Sequence, residues 1–136
     1  MTSWMLVEDE PDLYEMLLAM TQTMGVNGIA FPNGEEAFDW IEDVDAGMFQ
    51  GEVPELALLD IRLPGEIDGP MVGARLRKSP SLGKTRVILI TAYRLSQNEE
   101  NAIIKRAGAE FLLYKPLPSF KELERILKGR RKRHRN

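Results

Sequence analysis

The sequence predicts an α/β fold: a doubly wound, five-stranded parallel sheet with helices on both faces. Five short apolar runs alternate along the chain with stretches whose apolar residues recur at helical spacing. The polar residues with chemical potential fall just after those runs. Strands that alternate with helices need crossover connections, and such crossovers are right-handed, which places helices on either side of the sheet. At 136 residues the chain is the size of one ordinary domain, long enough to bury a core and too short for two.

The first run, WMLV at residues 4–7, reads as a buried strand. Pro11 suits a first helical turn, and Leu13, Met16, Leu17 and Met20 follow at helical spacing. GIAF at 28–31 is a weaker second strand, after which Asn33-Gly34 opens a helix bearing Ala37, Phe38, Trp40 and Ile41. A loose connection runs on to Pro54, and LALLD at 56–60 is the third strand. The turn chemistry of PGEIDGP precedes a third helix with Met71, Ala74, Arg75 and Leu76, which stops near Ser79-Pro80 because proline disfavours a helical residue before it. RVILIT at 86–91 is the most continuous apolar run and reads as a central strand. A helix over 97–107 ends at Gly108, which can take the left-handed conformation that closes helices. FLLY at 111–114 is the fifth strand, followed by Lys115-Pro116 and a last helix from about Phe120.

Composition narrows the function classes. The apolar and charged fractions are those of a soluble globular protein, and no segment approaches the roughly 20 apolar residues of a membrane helix. The amino terminus, MTSWMLVEDE, meets acid at Glu8 and has no signal-peptide pattern. With no cysteine there is no disulfide framework, thiolate nucleophile or cysteine metal site, and a cytoplasmic location fits. The net charge of -3 hides an asymmetry: Lys128, Arg130, Arg131, Lys132, Arg133 and Arg135 crowd the last nine residues and leave a body of charge -9. Such a body disfavours nucleic acid. The chain thus divides into a folded domain over 1–127 and a basic tail or helix end over 128–136, in which His134, the only histidine, reads as a solvated residue.

The residues that carry chemistry lie at four strand ends. Glu8, Asp9 and Glu10 follow the first strand, Asp60 ends the third, Thr91 ends the fourth and Lys115 follows the fifth. In open α/β sheets ligands sit outside the carboxyl ends of the strands, where strand order reverses. If the order is 2-1-3-4-5, the first and third strands are neighbours and Asp9 converges with Asp60. Clustered carboxylates repel one another unless a hard cation neutralises them, and magnesium, which takes oxygen ligands and keeps waters, is the natural ion. Lys115 supplies a compact positive charge and Thr91 a hydroxyl donor for the oxygens of a phosphoryl group. Asp60 is then a nucleophile able to form an acyl phosphate.

Four fragments, VEDE at 7–10, LLDIRLPG at 58–65, ITA at 90–92 and YKP at 114–116, resemble those of response-regulator receiver domains, in the right order and each at a strand end. The resemblance spans nearly the whole chain and implies the receiver, flavodoxin-like fold. It implies Asp60 as phosphoacceptor, a Mg2+ site formed by Asp9 with Glu8, Asp60 and the backbone carbonyl of Arg62, and phosphoryl-oxygen contacts from Thr91 and Lys115. It also implies a cis peptide at Lys115-Pro116. The partners implied are a sensor histidine kinase or histidine phosphotransfer protein, with output through a homodimer or a downstream protein, since no DNA-binding or catalytic segment follows within the chain. Two departures stand out. The family's aromatic three residues before the lysine is Leu112 here, with Phe111 on the opposite face of the strand, and PGEIDG is one residue longer than the usual PGMDG.

Taken singly, each residue has a plainer reading: Asp60 as a turn or capping aspartate, Glu10 or Asp9 as a cap for the first helix, Thr91 as an ordinary strand residue, Lys115 as a solvated lysine. Their joint placement outweighs those readings. Among rival functions, a haloacid-dehalogenase-type phosphatase requires an acid two residues after its nucleophile, where this chain has Arg62. A phosphorylation-independent binding module would keep the fold without the chemistry. A flavin carrier would need a Ser/Thr/Gly-rich phosphate loop after the first strand, which is absent.

Overall fold

The computed structural model of the chain describes residues 2–133, with side chains through residue 128. His134 and most of the basic tail's side chains lie outside the described residues. The elements are β1 (Ser3–Val7), α1 (Pro11–Thr23), β2 (Asn27–Phe31), α2 (Gly34–Asp45), β3 (Leu56–Asp60), α3 (Gly69–Lys78), β4 (Arg86–Thr91), α4 (Gln97–Ala107), β5 (Phe111–Tyr114) and α5 (Phe120–Arg133). The five strands form one parallel sheet in the order β2-β1-β3-β4-β5, so the expected neighbours β1 and β3 pair, with Val7 opposite Leu59.

Strand alternation divides the core in two. Met5, Val7, Ala57, Leu59, Val87 and Leu89 pack on one face with Ile41 of α2, Leu76 of α3 and Ala107 of α4. Trp4, Leu6, Leu56, Leu58, Ile88 and Ile90 pack on the other with Leu17 and Met20 of α1 and Leu123 and Leu127 of α5. Both faces of β1, β3 and β4 are covered, which is why these strands read as continuous apolar runs rather than alternating ones. Truncating a fully buried residue such as Leu58 to alanine costs about 2–5 kcal/mol in cores of this kind.

Helix ends follow local chemistry. Asn33 caps α2 by accepting from the Glu36 N–H, and Ser96 and Glu99 form a reciprocal capping box at α4. α3 starts two residues before Met71, the first residue of the sequence-predicted third helix, because Asp68 is its N-cap, accepting from the Met71 N–H at 2.9 Å, and Pro70 sits in the first turn. Gly69 is required there by proximity, since a Cβ at that position would lie 2.0 Å from the carbonyl oxygen of Asp60. At the opposite end of the sheet, the Arg77 guanidinium donates to the carbonyls of Gly108 (2.7 and 3.2 Å), Gly83 (3.0 Å) and Thr85 (2.5 Å). One side chain thus ties α3 to the loop before β4 and to the end of α4. Among the described residues, no helix is long and apolar enough to cross a membrane.

Candidate functional site

The switch point between β1 and β3 is where the acidic residues meet. The Glu8 N–H donates to the Phe31 carbonyl at 3.1 Å, continuing the strand pairing by one residue and turning the Glu8 side chain into the protein, where it is 1% exposed. Its Oε2 accepts from the Glu10 N–H at 3.0 Å, while Oε1 is buried without a hydrogen-bond partner. Asp60, 4% exposed, ends β3 beside it and accepts from the Arg62 N–H at 3.2 Å. Asp9 stands at the exposed rim. One carboxylate oxygen from each of Glu8, Asp9 and Asp60 lies within 4.8 Å of the other two.

Lys115 arrives from the far side of β4. Its backbone N–H donates to the Thr91 carbonyl at 2.8 Å, and its peptide bond to Pro116 is cis. The ammonium lies 2.9 Å from Asp60 Oδ2, 3.2 Å from Glu8 Oε1 and 3.3 Å from Glu10 Oε1. The Thr91 hydroxyl is buried and accepts from the Tyr93 N–H at 3.1 Å, leaving its own proton to donate. A cleft of about 440 Å3 opens above, lined by Asp9, Glu10, Asp60, Arg62, Tyr93 and Lys115 among others; Glu8 and Thr91 lie outside its lining.

The electrostatics follow from this crowding. Burial raises the Glu8 carboxyl to about 7; the Glu10 N–H opposes the rise, Asp60 adds to it, and Lys115 opposes it. At Lys115 burial acts to lower the pKa, but the hydrogen bond to Asp60 and the charges of Asp60 and Glu8 prevail, and the ammonium is held above its ordinary value. The site is an anionic cluster stabilised from one side by a fixed cation, and it leaves one buried carboxylate oxygen without a hydrogen bond. A divalent, oxygen-seeking cation fits that donor set: three carboxylates, two of them lining the cleft, with room for waters.

Several features of the site were not in the sequence reading. Glu10 is the N-cap residue of α1 but makes no side-chain cap bond; its carboxylate reaches toward Lys115 instead. The Arg62 guanidinium lies 4.0 Å from the centroid of the Tyr93 ring, a cation–π contact that joins the loops after β3 and β4 across the cleft. Leu112 packs with the α2–α4 core and Phe111 with the other, as strand alternation requires. Two residues beyond Leu112, Tyr114 donates its phenol proton to Glu100 of α4 at 2.6 Å and has Arg94 5.1 Å from its ring. The period of two along β5 was the available signal for that aromatic.

Comparison with known proteins gives a consistent result. The family model described as "Response regulator receiver domain" matches residues 5–128. The uncharacterized 14.6 kDa protein in the sodA1 3′ region of Leptolyngbya boryana is 29% identical over 113 residues, 83% of this chain and 78% of that protein. The response regulator TrrA from Thermotoga maritima, solved in complex with Mg2+ and BeF, is 29% identical with a TM-score of 0.72, covering 95% of this chain and 98% of that one. The receiver domain of a sensor histidine kinase from Pseudomonas aeruginosa PAO1, solved with magnesium in its active-site cleft, is 25% identical with a TM-score of 0.74, covering 94% and 95%.

Proposed function

Because the chain belongs to the response regulator receiver domain family, we propose that it is the phosphoryl-accepting switch of a two-component system, with Asp60 as the acceptor. The observation that carries this reading is the position of Asp60 between two kinds of partner. Lys115 Nζ stands 2.9 Å from one of its oxygens, and the carboxylates of Glu8 and Asp9 face it from β1. In this reading an Asp60 oxygen forms a bond to phosphorus as the P–N bond of a phosphohistidine donor breaks and the imidazole leaves. Lys115 and the Thr91 hydroxyl hold the oxygens of the transferred group. Glu8, Asp9, Asp60 and the backbone carbonyl of Arg62 hold Mg2+, which when bound supplies positive charge against the acidic cluster and the phosphoryl oxygens.

The donor is a sensor histidine kinase or a histidine phosphotransfer protein in the cytoplasm, and output passes to a homodimer or a downstream protein. The working unit is 1–127, with 128–136 a basic extension. The protein assists its own phosphorylation and dephosphorylation rather than turning over a small substrate. Arg62 supports that distinction: two residues after Asp60, where a phosphatase of the haloacid-dehalogenase type needs an acid, a guanidinium lies over Tyr93.

The test is incubation with acetyl phosphate and Mg2+ without any kinase. Intact-protein mass spectrometry is expected to show one added phosphoryl group, labile to alkali and hydroxylamine. Asp60→Asn removes it, Asp9→Asn weakens it and Lys115→Ala slows it. Beryllium fluoride with Mg2+ is the second probe. If neither reagent engages the wild-type protein, the phosphorylation-independent binding module replaces this reading.

A further inference from the structure

The loop between β3 and α3 follows the acceptor directly, carries the Arg62 carbonyl, and is one residue longer than the sequence motif it resembles. Its ends are fastened near Asp60. The Arg62 N–H bonds the Asp60 carboxylate, and the Gly69 N–H bonds the Ile61 carbonyl at 3.0 Å. The middle of the loop is held by a different element. Glu35, in the first turn of α2, accepts from the Glu66 N–H at 2.9 Å, and the Ile67 N–H also favours its ionised form. Gly65 has φ +85°, and a Cβ there would lie 2.5 and 2.9 Å from the two Glu35 oxygens, so the carboxylate occupies the concavity a side chain would fill. Gly34 brings the helix turn equally close, since a Cβ on it would meet the Ile67 carbonyl oxygen at 2.5 Å.

We propose that Glu35 is a positioning residue of the metal site: by seating its carboxylate in the backbone of residues 65–67, it fixes the loop that presents the Arg62 carbonyl. This rests on the magnesium reading above and extends it to a residue on a different helix. Mg2+ demands near-ideal octahedral geometry, so a carbonyl ligand on a loop is useful only if the loop is held before the ion arrives. Glu35 contributes nothing to the acidic cluster itself and does not line the cleft. Its carboxyl is held below the ordinary value, first by the Glu66 N–H, so the tie is a charge-assisted one at neutral pH.

The experiment is calorimetric titration of Mg2+, alone and with beryllium fluoride, into the wild type, Glu35→Ala, Glu35→Gln and Glu36→Ala, with thermal unfolding of each in EDTA. Glu36 is the control for charge, being in the same turn with its carboxylate accepting from the Asn33 side chain. Glu35→Ala is expected to raise the Kd for Mg2+ three- to tenfold with little change in Tm. Glu35→Gln recovers part of that loss because its amide oxygen still accepts one N–H, and Glu36→Ala binds as the wild type. If Glu35→Ala does not fold, Glu35→Gln decides the matter by the same affinity. Wild-type affinity in the Glu35 variants, or a loss shared equally by Glu36→Ala, overturns the positioning role and leaves the receiver reading standing. Failure of the wild type to bind Mg2+ or beryllium fluoride overturns the site reading itself.

Discussion

Replacing Glu8 with glutamine is expected to stabilise the metal-free protein above neutral pH while weakening its response to magnesium. Glu8 is the most deeply buried carboxyl of the cluster, with its Oε1 lacking a hydrogen bond and its pKa raised from 4.5 to about 7. A carboxyl whose folded-state pKa is raised keeps its proton longer in the folded chain than in the unfolded one. Its contribution is therefore intact below pH 4.5, declines as pH rises toward 7, and is fully lost above. At about 1.4 kcal/mol for each pH unit between 4.5 and about 7, and with the Lys115 ion pair lost in the variant, the net effect is on the order of 2–3 kcal/mol. For a chain of this length that is on the order of 10 °C in Tm. Glutamine resembles the protonated acid at every pH. In EDTA the Tm of Glu8→Gln should match the wild type at pH 4 and exceed it progressively between pH 5 and 8. Saturating Mg2+ should reverse the order at pH 8, because the carboxylate gains a cation that the amide holds poorly. Differential scanning calorimetry across pH, with and without Mg2+, reads both effects. Parallel Tm curves for the two proteins in EDTA would refute the claim that the buried Glu8 charge is a cost the metal relieves.

Two other outcomes follow from the described geometry. Arg77→Met removes four hydrogen bonds to the carbonyls of Gly83, Thr85 and Gly108 while keeping much of the side-chain volume. It should cost about 3–5 kcal/mol, on the order of 10–15 °C in Tm, with Mg2+ affinity unchanged; a loss under about 1 kcal/mol would mean that water replaces the guanidinium. Mg2+ alone should barely alter tryptophan fluorescence, because Trp4 sits near the opposite end of β1 from Asp9, roughly 16 Å along the strand, and Trp40 is packed between Phe31 and Phe49. Strong saturable quenching that vanishes in Asp60→Asn would contradict the placement of these strands.

The alternation of strands and helices was legible because both sheet faces are covered, which makes β3 and β4 unbroken apolar runs, and because Asn33, Gly108 and Pro11 announce helix ends by their own chemistry. The start of α3 was harder to read, since Met71 is its first apolar landmark while the true boundary is set by Asp68 and Pro70. Glu8, Asp60 and Lys115 could be nominated from strand ends alone, since a residue's place at the end of a strand is a local property. What the sequence hid depends on distance across the fold. That Glu10 faces Lys115, that Arg62 meets Tyr93 and that Glu35 reaches Glu66 are contacts between loops or helices far apart in the chain, and no periodicity encodes them. Tyr114 is an exception, because the period of two along β5 places it on the face of Leu112.

Lys115 gives the cluster an unusual economy of charge. Four carboxylates gathered without a cation would behave as an ion-exchange resin does, holding protons and monovalent ions indiscriminately. Here the ammonium is within 3.3 Å of Glu8, Glu10 and Asp60, so part of the negative charge is already spoken for by a tethered counter-ion. A weakly charged ion gains little by entering such a site, because it meets a field that Lys115 has reduced. A divalent ion still gains from Asp9 and from Glu8 Oε1, which has the ammonium at 3.2 Å but no hydrogen bond, and an arriving anionic group would meet an ammonium that needs only to shift its allegiance from Asp60. In the switch proposed above, the same lysine would therefore discriminate between cations before a phosphoryl group arrives and serve as its handle afterwards, without any change in its protonation.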